Sequence, residues 1–489
     1  MSQFSDNHYA RLGLPFDATK DEIRLAYHDA ARRLHPDTNK EADATEQFLA
    51  VQRAFDVLSN PADRKDYDAT LPRQADDAVI KIASLYSRKA LTPTDEPQLV
   101  YIMLDVSVEP GKAKKTSPPL NVCILIDRST SMKGERIDTV RATARKIISQ
   151  LRPEDYVSVV AFNDRAEVVV PPERNIDGNK VQAQISQIQT GGGTEMYQGL
   201  RAAYQQVSRN LRMSQINHII LVTDGHTYGD EARCLELAGE ARDAGIAISA
   251  LGIGSEWNDD FLDALASRTG GNSMYIAFAR DIKRFLELKF ADLNNVVAEN
   301  LALVRPDLSN GAELRYAFRI HPDPTRLDAG PKISLGNVRT NETLRVLLEF
   351  IIKDVTLPAE QVNLIKGTLR LELPERLIPT VRKYVDWALP VSEDPTTHPS
   401  PPDIVQAMSR LTLYRMQEQA RVDLADGNVE LATRRLQNLA THLLAQGEHQ
   451  LASMILKEAT LVESGTRNLD DLEKKIKYGT RALLLPPPA

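Results

Sequence analysis

Leu120 to Met132, LNVCILIDRSTSM, is the stretch that decides how the chain is read. Seven mostly apolar residues, with β-branched Val122, Ile124 and Ile126, run into Asp127, and Ser129 and Ser131 follow at every second position. An apolar run closed by a polar turn and followed by the helical pattern of Arg136 to Leu151 marks the start of an α/β unit. Open α/β sheets place their sites at the carboxyl ends of such strands. One carboxylate and two hydroxyls at that end are ligands for a hard cation.

Downstream, the same alternation continues. YVSVVAFND and AEVVVPPE read as strands, NKVQAQISQIQ as a helix, and Gly191-Gly192-Gly193-Thr194 as a turn. Helix MYQGLRAAYQQVSRNL leads to strand NHIILVTDG, which ends in Thr223, Asp224 and Gly225. EARCLELAGEARDAG, AISALGIG, DDFLDALASRTGG, SMYIA and a closing helix from Arg280 to Val297 complete a domain over 119–298. The pattern predicts a doubly wound, mostly parallel sheet with helices on both faces and AEVVV as an antiparallel edge. Right-handed connections then bring the Asp127 turn, the Thr194 turn and the Asp224 strand end to one edge of the sheet. Two carboxylates and three hydroxyls form an oxygen-only shell. That set is too hydroxyl-rich for Zn²⁺ and suits one Mg²⁺ or Mn²⁺ ion that keeps an open position. The glycines let the Thr194 loop come close, and Glu195 is expected to face solvent.

This region resembles the von Willebrand factor A domain with its metal-ion-dependent adhesion site, and Met132-x-Gly134 after the serines fits as well. The resemblance implies that Asp127, Ser129, Ser131, Thr194 and Asp224 are the metal ligands. It also implies a protein ligand whose Glu or Asp carboxylate completes the coordination.

The first 72 residues read as a small helical domain. Asp6 is placed to cap a helix that ends at Gly13, and Thr19 with Glu22 fits a capping box ahead of the helix Ile23 to Leu34. Ile23, Tyr27, Ala30 and Leu34 form its apolar stripe, and Arg24, His28 and Arg32 lie on another face. Pro36 ends the helix in a loop, and Phe48, Val51, Phe55 and Leu58 mark the next helix. YARLGL, EIRLAYHDAARRLHPD and FLAVQRAFDVLSNPADRKDYD resemble the J domain of DnaJ-like co-chaperones. That resemblance implies docking on a DnaK-type chaperone through Arg24, His28, Arg32 and Arg33, and stimulation of its ATPase by His35, Pro36 and Asp37. Asp29 interrupts the basic face, and the segment to Asp68 holds 9 Lys+Arg against 13 Asp+Glu, which weakens charge steering toward the chaperone. A second such tripeptide, His321-Pro322-Asp323, follows a strand rather than a basic helix and reads as an ordinary turn.

AVIKIASLYSRK and QLVYIMLDVSVE, within 73–118, read as a hairpin. AELRYAFRI, LRVLLEFIIK and IKGTLRLELPE, within 299–390, have the same character. Neither flank holds enough strands for a two-layer core, so the two are expected to pair into one antiparallel β-sandwich into which the α/β domain is inserted. SEDPTTHPSPPD supplies a linker over 391–402, and 403–489 reads as a C-terminal helical bundle with a tail. Gly427-x-x-x-Leu431-Ala432-x-x-x-Leu436 recurs twenty residues later as Gly447-x-x-x-Leu451-Ala452-x-x-x-Leu456, which suggests helical hairpins. The final KYGTRALLLPPPA carries no pattern that assigns it a role.

At 489 residues the chain implies about three or four units. With 60 Lys+Arg against 67 Asp+Glu, its net charge of -7 gives no support for nucleic-acid binding and favours protein partners. No apolar run reaches the roughly 18 residues of a membrane span and no leader pattern opens the chain, so a cytoplasmic location is expected. Cys123 and Cys234 lack CxxC spacing and read as core thiols. Without a Walker loop, zinc signature or acid–base pair, the chain is expected not to be an enzyme. Two functions fit. One is a co-chaperone that captures a partner at the metal and recruits a DnaK-type ATPase; the other is a scaffold in which the helical N-terminal domain is a weak or inactive tether.

Overall fold

The computed structural model describes residues 7–34, 44–71, 79–109, 117–174, 178–212, 214–227, 229–307, 312–353, 355, 359–374, 376, 378–393, 399–465 and 470–485. The N-terminal unit holds α1 (His8–Leu12), α2 (Lys20–Leu34), α3 (Ala44–Ser59) and α4 (Pro61–Thr70). Asn7 caps α1 by accepting from the amides of Tyr9 and Ala10, a role the sequence assigned to Asp6, which lies outside the described residues. Gly13 closes α1 in the left-handed region at φ 67. The Thr19–Glu22 capping box forms, with Thr19 N donating to Glu22 Oε2 at 2.8 Å and Glu22 N to Thr19 Oγ1 at 3.3 Å. Ile23, Ala30, Leu34, Val51 and Leu58 are buried in one cluster with Tyr9 and Leu12.

Two sheets make the β-sandwich. After β1 (Val79–Tyr86) and β2 (Gln98–Glu109) the chain leaves for the α/β domain, and it returns in β9 (Val296–Asp307), β10 (Ala312–His321), β11 (Thr325–Arg326), β12 (Lys332–Arg339), β13 (Thr343–Ile352), β14 (Gln361–Glu372) and β15 (Thr380–Pro390). The first sheet has the order β1-β2-β13-β10-β11 and the second β12-β9-β14-β15. β13 joins the flanks, with Val346 opposite Leu104 on β2 and Leu347 opposite Phe318 on β10. Arg345 fixes that register through two bonds to the Asp105 carboxylate, at 2.8 and 2.7 Å. The inner faces of both sheets meet in a single apolar cluster.

The sequence reading missed four of these strands: β11 is only two residues long, and each of the other three has a local reason. β9 carries a buried Glu299 and an Asn300 at φ 51, which break its alternation. β12 bulges on either side of Gly336. β15 interposes Arg382 and Lys383. The closing helix also stops early, at Asn294, because β-branched Val296 and Val297 already belong to β9.

Between β2 and β9 lie β3 (Leu120–Asp127), α5 (Glu135–Ile148), β4 (Tyr156–Phe162), β5 (Ala166–Glu173), α6 (Gly178–Ser186), α7 (Met196–Arg209), β6 (Ile216–Thr223), α8 (Glu231–Asp243), β7 (Ala247–Ile253), α9 (Asp259–Arg268), β8 (Ser273–Ile276) and α10 (Ile282–Asn294). Their sheet has the order β5-β4-β3-β6-β7-β8, parallel except for the β5 edge. β3 is buried along its whole length. Leu120, Val122, Ile124 and Ile126 face α5 and α10, whereas Cys123 and Leu125 face α7, α8 and α9, as a period of two requires.

The C-terminal helices are α11 (Pro402–Ala425), α12 (Val429–Ala445), α13 (His449–Glu463) and α14 (Asp470–Ala482). Gly427 and Gly447, the repeated glycines, sit at φ 80 and 82 in the turns between them. α11 covers the outer face of the first sheet, where Ile404, Leu411 and Tyr414 pack on Met103, Phe318 and Leu347. The segment KYGTRA within the C-terminal stretch that carried no readable pattern is the end of α14, and it docks on α9. Lys477 is 0% exposed and its Nζ lies 2.6, 2.8 and 2.9 Å from carboxylate oxygens of Asp259, Asp260 and Asp263. Arg481 pairs with Asp263 at 3.1 Å, and Arg421 of α11 with Asp259 at 2.7 Å. Burial pushes the Asp259 carboxyl up, but Lys477 and then Arg421 outweigh it and bring it down to about 2.

At the other end, Arg382 of β15 pairs with Glu22 at 2.8 Å, and Ile378 enters the core of the N-terminal unit.

Two stability predictions follow from the helical domain. Lys477→Met strips Asp259 and Asp263 of their shared cation and should cost about 3 kcal/mol, read as a lower urea midpoint. An unchanged midpoint would show the cluster to be energetically idle. Glu458 on α13 is 1% exposed, and its Oε2 has no hydrogen-bond partner. Burial first, and Glu473 next, push its carboxyl up to about 8, against the pull of Arg421. The fold holds that proton more tightly than the unfolded chain, so its stabilising share is complete below the ordinary glutamate range and is lost as pH rises through 8. Glu458→Gln should flatten the decline in unfolding free energy between pH 5 and pH 8, read from urea titrations, by about 1.4 kcal/mol per pH unit at most.

Candidate metal centre

β3 delivers Asp127 to the carboxyl edge of the sheet, between β4 and β6. Asp127 is 0% exposed, and both of its oxygens are held: Oδ1 accepts from Ser129 N at 2.7 Å and Oδ2 from the Thr223 hydroxyl at 2.6 Å. Thr223 is a residue whose part in the site the sequence reading left unassigned, although it stands next to Asp224. A 3-10 turn over Thr130–Met132 follows, anchored by the buried Met132. Its Ser131 hydroxyl donates to Asp224 Oδ1 at 2.7 Å and lies 3.1 Å from the Ser129 hydroxyl. Asp224 is itself 0% exposed.

Thr194 arrives from the other side. Its loop is tied to the first by Gly191 N donating to Arg128 O at 2.9 Å, and by the Thr130 amide and hydroxyl donating to Gly192 O at 3.2 and 3.0 Å. Asn163 and Asp164 hold it from behind, with Asn163 Nδ2 on Gly191 O at 2.6 Å and Gly193 N on Asp164 Oδ1 at 2.8 Å. Gly192 is obligatory here, since its φ is +78 and a Cβ would stand 2.2 Å from Asp164 Oδ2. The Thr194 and Ser131 hydroxyls both come close to Gly225, lying 3.5 and 3.8 Å from where its Cβ would be. Glu195 is exposed and accepts from Gln198 at 2.9 Å.

All five sequence-selected residues therefore lie at one edge. Burial pushes the Asp127 carboxyl up to about 6, and nearby Asp224 adds to this, while Thr223 and Ser129 oppose it. Two buried carboxylates, close enough to repel each other, with three hydroxyls beside them make an oxygen set whose chemistry fits an oxygen-loving divalent cation. Among the described residues no three His, Cys, Asp or Glu side chains gather to hold a metal ion, so the set here rests on two carboxylates and hydroxyls. Arg136, on the first turn of α5, was not singled out from the sequence. It forms an ion pair with Asp224.

Of the N-terminal unit's candidate residues, Arg24, His28 and Arg32 are exposed along α2, with Asp29 exposed beside them. His35, Pro36 and Asp37, and the side chain of Arg33, lie outside the described residues. The second tripeptide is a structural turn: Asp323 pairs with Arg339 at 2.7 Å, and its carbonyl accepts from Arg319 Nε at 2.9 Å.

Comparison with known proteins matches three modules. Residues 7–68 fit the DnaJ domain, 121–288 the von Willebrand factor type A domain, and 402–486 the Sll0103-like, C-terminal alpha-helical domain. An uncharacterized protein of Synechocystis, sll0103, is 29% identical over 382 residues, covering 76% of this chain and 90% of its own. The chaperone protein DnaJ of Leifsonia xyli is 50% identical over 62 residues, 13% of this chain and 17% of that protein, so the likeness is confined to one module. Among solved structures, a von Willebrand factor type A protein from Catenulispora acidiphila superposes with a TM-score of 0.61 at 18% identity, over 78% of this chain and 90% of that one, and so shares its fold. The chain thus joins a DnaJ domain to a von Willebrand factor type A domain and an Sll0103-like C-terminal helical domain.

Proposed function

We propose that this protein is a non-enzymatic co-chaperone adaptor. In this reading the central domain holds one Mg²⁺ or Mn²⁺ and captures a protein partner by a Glu or Asp carboxylate, while the DnaJ domain recruits a DnaK-type ATPase. The observation that carries it is the convergence of Asp127, Ser129, Ser131, Thr194 and Asp224 on the same chain as a DnaJ domain. Ser129, Ser131 and Thr194 would offer hydroxyl oxygens to the ion, and Asp127 and Asp224 the charge that holds it. A cation bound there supplies an open position that attracts an anionic oxygen. Thr223 keeps Asp127 oriented, and the two glycine-tied loops keep the hydroxyls fixed, so little ordering is left for the moment of binding.

His35, Pro36 and Asp37 would trigger the chaperone's ATP hydrolysis, and Arg24, His28, Arg32 and Arg33 would dock on it. A cytoplasmic location belongs to the same proposal. Among the described residues no helix is long and apolar enough to cross a membrane. The exposed Asp29, set within the basic row of α2, favours a second reading in which the DnaJ domain is only a weak tether on a scaffold.

One pull-down series separates the two readings. Capture of a partner from lysate should persist in Mg²⁺ and fail in EDTA or with Asp127→Ala. In parallel, His35→Gln should keep capture and abolish stimulation of a DnaK-type ATPase. Capture that survives EDTA and Asp127→Ala would remove the metal centre from the binding role. A wild type that gives no stimulation would leave the scaffold.

A further inference from the structure

The loop from Gly254 to Trp257 leaves the carboxyl end of β7, next to the end of β6 that leads into Asp224. It is held from below by its own tryptophan. Trp257 is 1% exposed, and its Nε1 donates to Gly254 O at 2.7 Å. Its ring fills the space beside Gly252, where a Cβ would stand 2.1 Å from Cε2. From outside, α14 holds the same loop. Lys474 Nζ donates to Ser255 O and sits 5.2 Å from the Trp257 ring centroid. Tyr478 of α14 and Tyr275 of β8 lie with ring centroids 6.1 and 6.4 Å from Trp257, and the Tyr275 hydroxyl bonds Asp471 at the start of α14 at 2.5 Å.

On its other side the loop comes close to Arg136, beside the metal centre. Arg136 Nη2 lies 3.0 Å from where a Gly254 Cβ would be, and Gly254 has φ +71. Arg136 also pairs with Asp224, and its Nη1 reaches Ser131 O at 3.4 Å. Lys474, Trp257, Gly254 and Arg136 therefore form a continuous run from a helix of the C-terminal domain to a carboxylate of the metal centre, with the Arg136 guanidinium close against Gly254.

We propose that the seating of α14 and divalent-cation binding at the centre are coupled through this loop, with seated α14 holding Arg136 against Asp224 and so weakening cation affinity. The inference rests on the metal-dependent reading of that centre. A guanidinium on Asp224 neutralises one of only two carboxylates and adds like charge beside the ion's place. Arg136 is one-third exposed, so release of the loop gives its side chain a path into water. The grip is largely ionic and polar: Lys474, Lys477 and Arg481 all point from α14 into the central domain. Its strength thus falls with salt where the contacts meet solvent. Coupling between two binding events is reciprocal, so an ion at the centre loosens α14 by the factor that α14 weakens the ion.

The test uses the full chain and Mg²⁺ as the probe. Calorimetry should show Lys474→Met binding Mg²⁺ roughly five- to tenfold more tightly than the parent. Arg136→Ala should bind more tightly too, and adding Lys474→Met to it should change nothing further. The chain has two tryptophans, so a Trp387→Phe background isolates Trp257 as a reporter. Mg²⁺ should shift its emission in that background and leave it unchanged when Arg136→Ala is added. Tyr275→Phe, which releases Asp471 at the surface, provides the same comparison should Lys474→Met fold poorly. Equal Mg²⁺ affinity in parent, Lys474→Met and Tyr275→Phe overturns the coupling and leaves the metal centre standing. A parent that binds no Mg²⁺ overturns both.

Discussion

The carboxylates of α9 join the central domain to the C-terminal helices. Asp259, Asp260 and Asp263 project from the central domain, and the chain meets them with Lys477 and Arg481 from α14 and Arg421 from α11. Asp259 and Asp263 are buried charges, tolerated only because each has a partner, whereas Asp260 stands at the surface, and each cation serves more than one contact. Arg481 shows the reach of the arrangement: it pairs with Asp263, approaches Thr325 Oγ1 of the sandwich at 3.5 Å, and lies 5.9 Å from the Tyr414 ring of α11. Three domains thereby meet at one cluster.

What the sequence made legible tracks how local the determining physics is. The capping box of α2, the all-apolar β3 and the β5 edge follow from neighbours within a few residues, and all were readable. The five residues at the sheet edge were readable because strand ends and right-handed connections place them without knowledge of packing. Thr223 and Arg136 were not, since their roles arise from bonds to residues 96 and 88 positions away. β9, β12 and β15 were lost for a different reason. Each has its alternation interrupted, at Glu299 and Asn300 in β9, at Gly336 in β12 and at Arg382 and Lys383 in β15, and those residues are accommodated by partners in the second sheet. KYGTRA resisted reading because a lysine and an arginine at the end of a helix ordinarily meet water.

The metal centre and the DnaJ domain occupy separate parts of one frame. The sandwich carries the DnaJ domain on β14 and β15, through Arg382, Ile378 and the bond from Arg370 Nη2 to Gly13 O at 3.3 Å. The same frame carries the central domain at the crossing from β2 and back into β9. The exposed row on α2 stays free of that mount, so docking of another protein there requires no rearrangement of the described residues.

The pairing of β2 with β13 has a consequence for synthesis. Asp105 and Arg345, which fix the register of that pair, stand 240 residues apart in the chain. A ribosome adding about 5–20 residues per second needs roughly 10 to 50 s to cover that distance. Throughout that interval the β1–β2 hairpin has no sheet to join. Val100, Ile102, Leu104 and Val106, all at 0% exposure in the finished fold, must wait in water or in the care of another protein. The inserted domain, which contains its own sheet and both of its helical layers, can fold during the wait. The hairpin's apolar face therefore stays uncovered until β13 emerges, long after the inserted domain has all of its own strands.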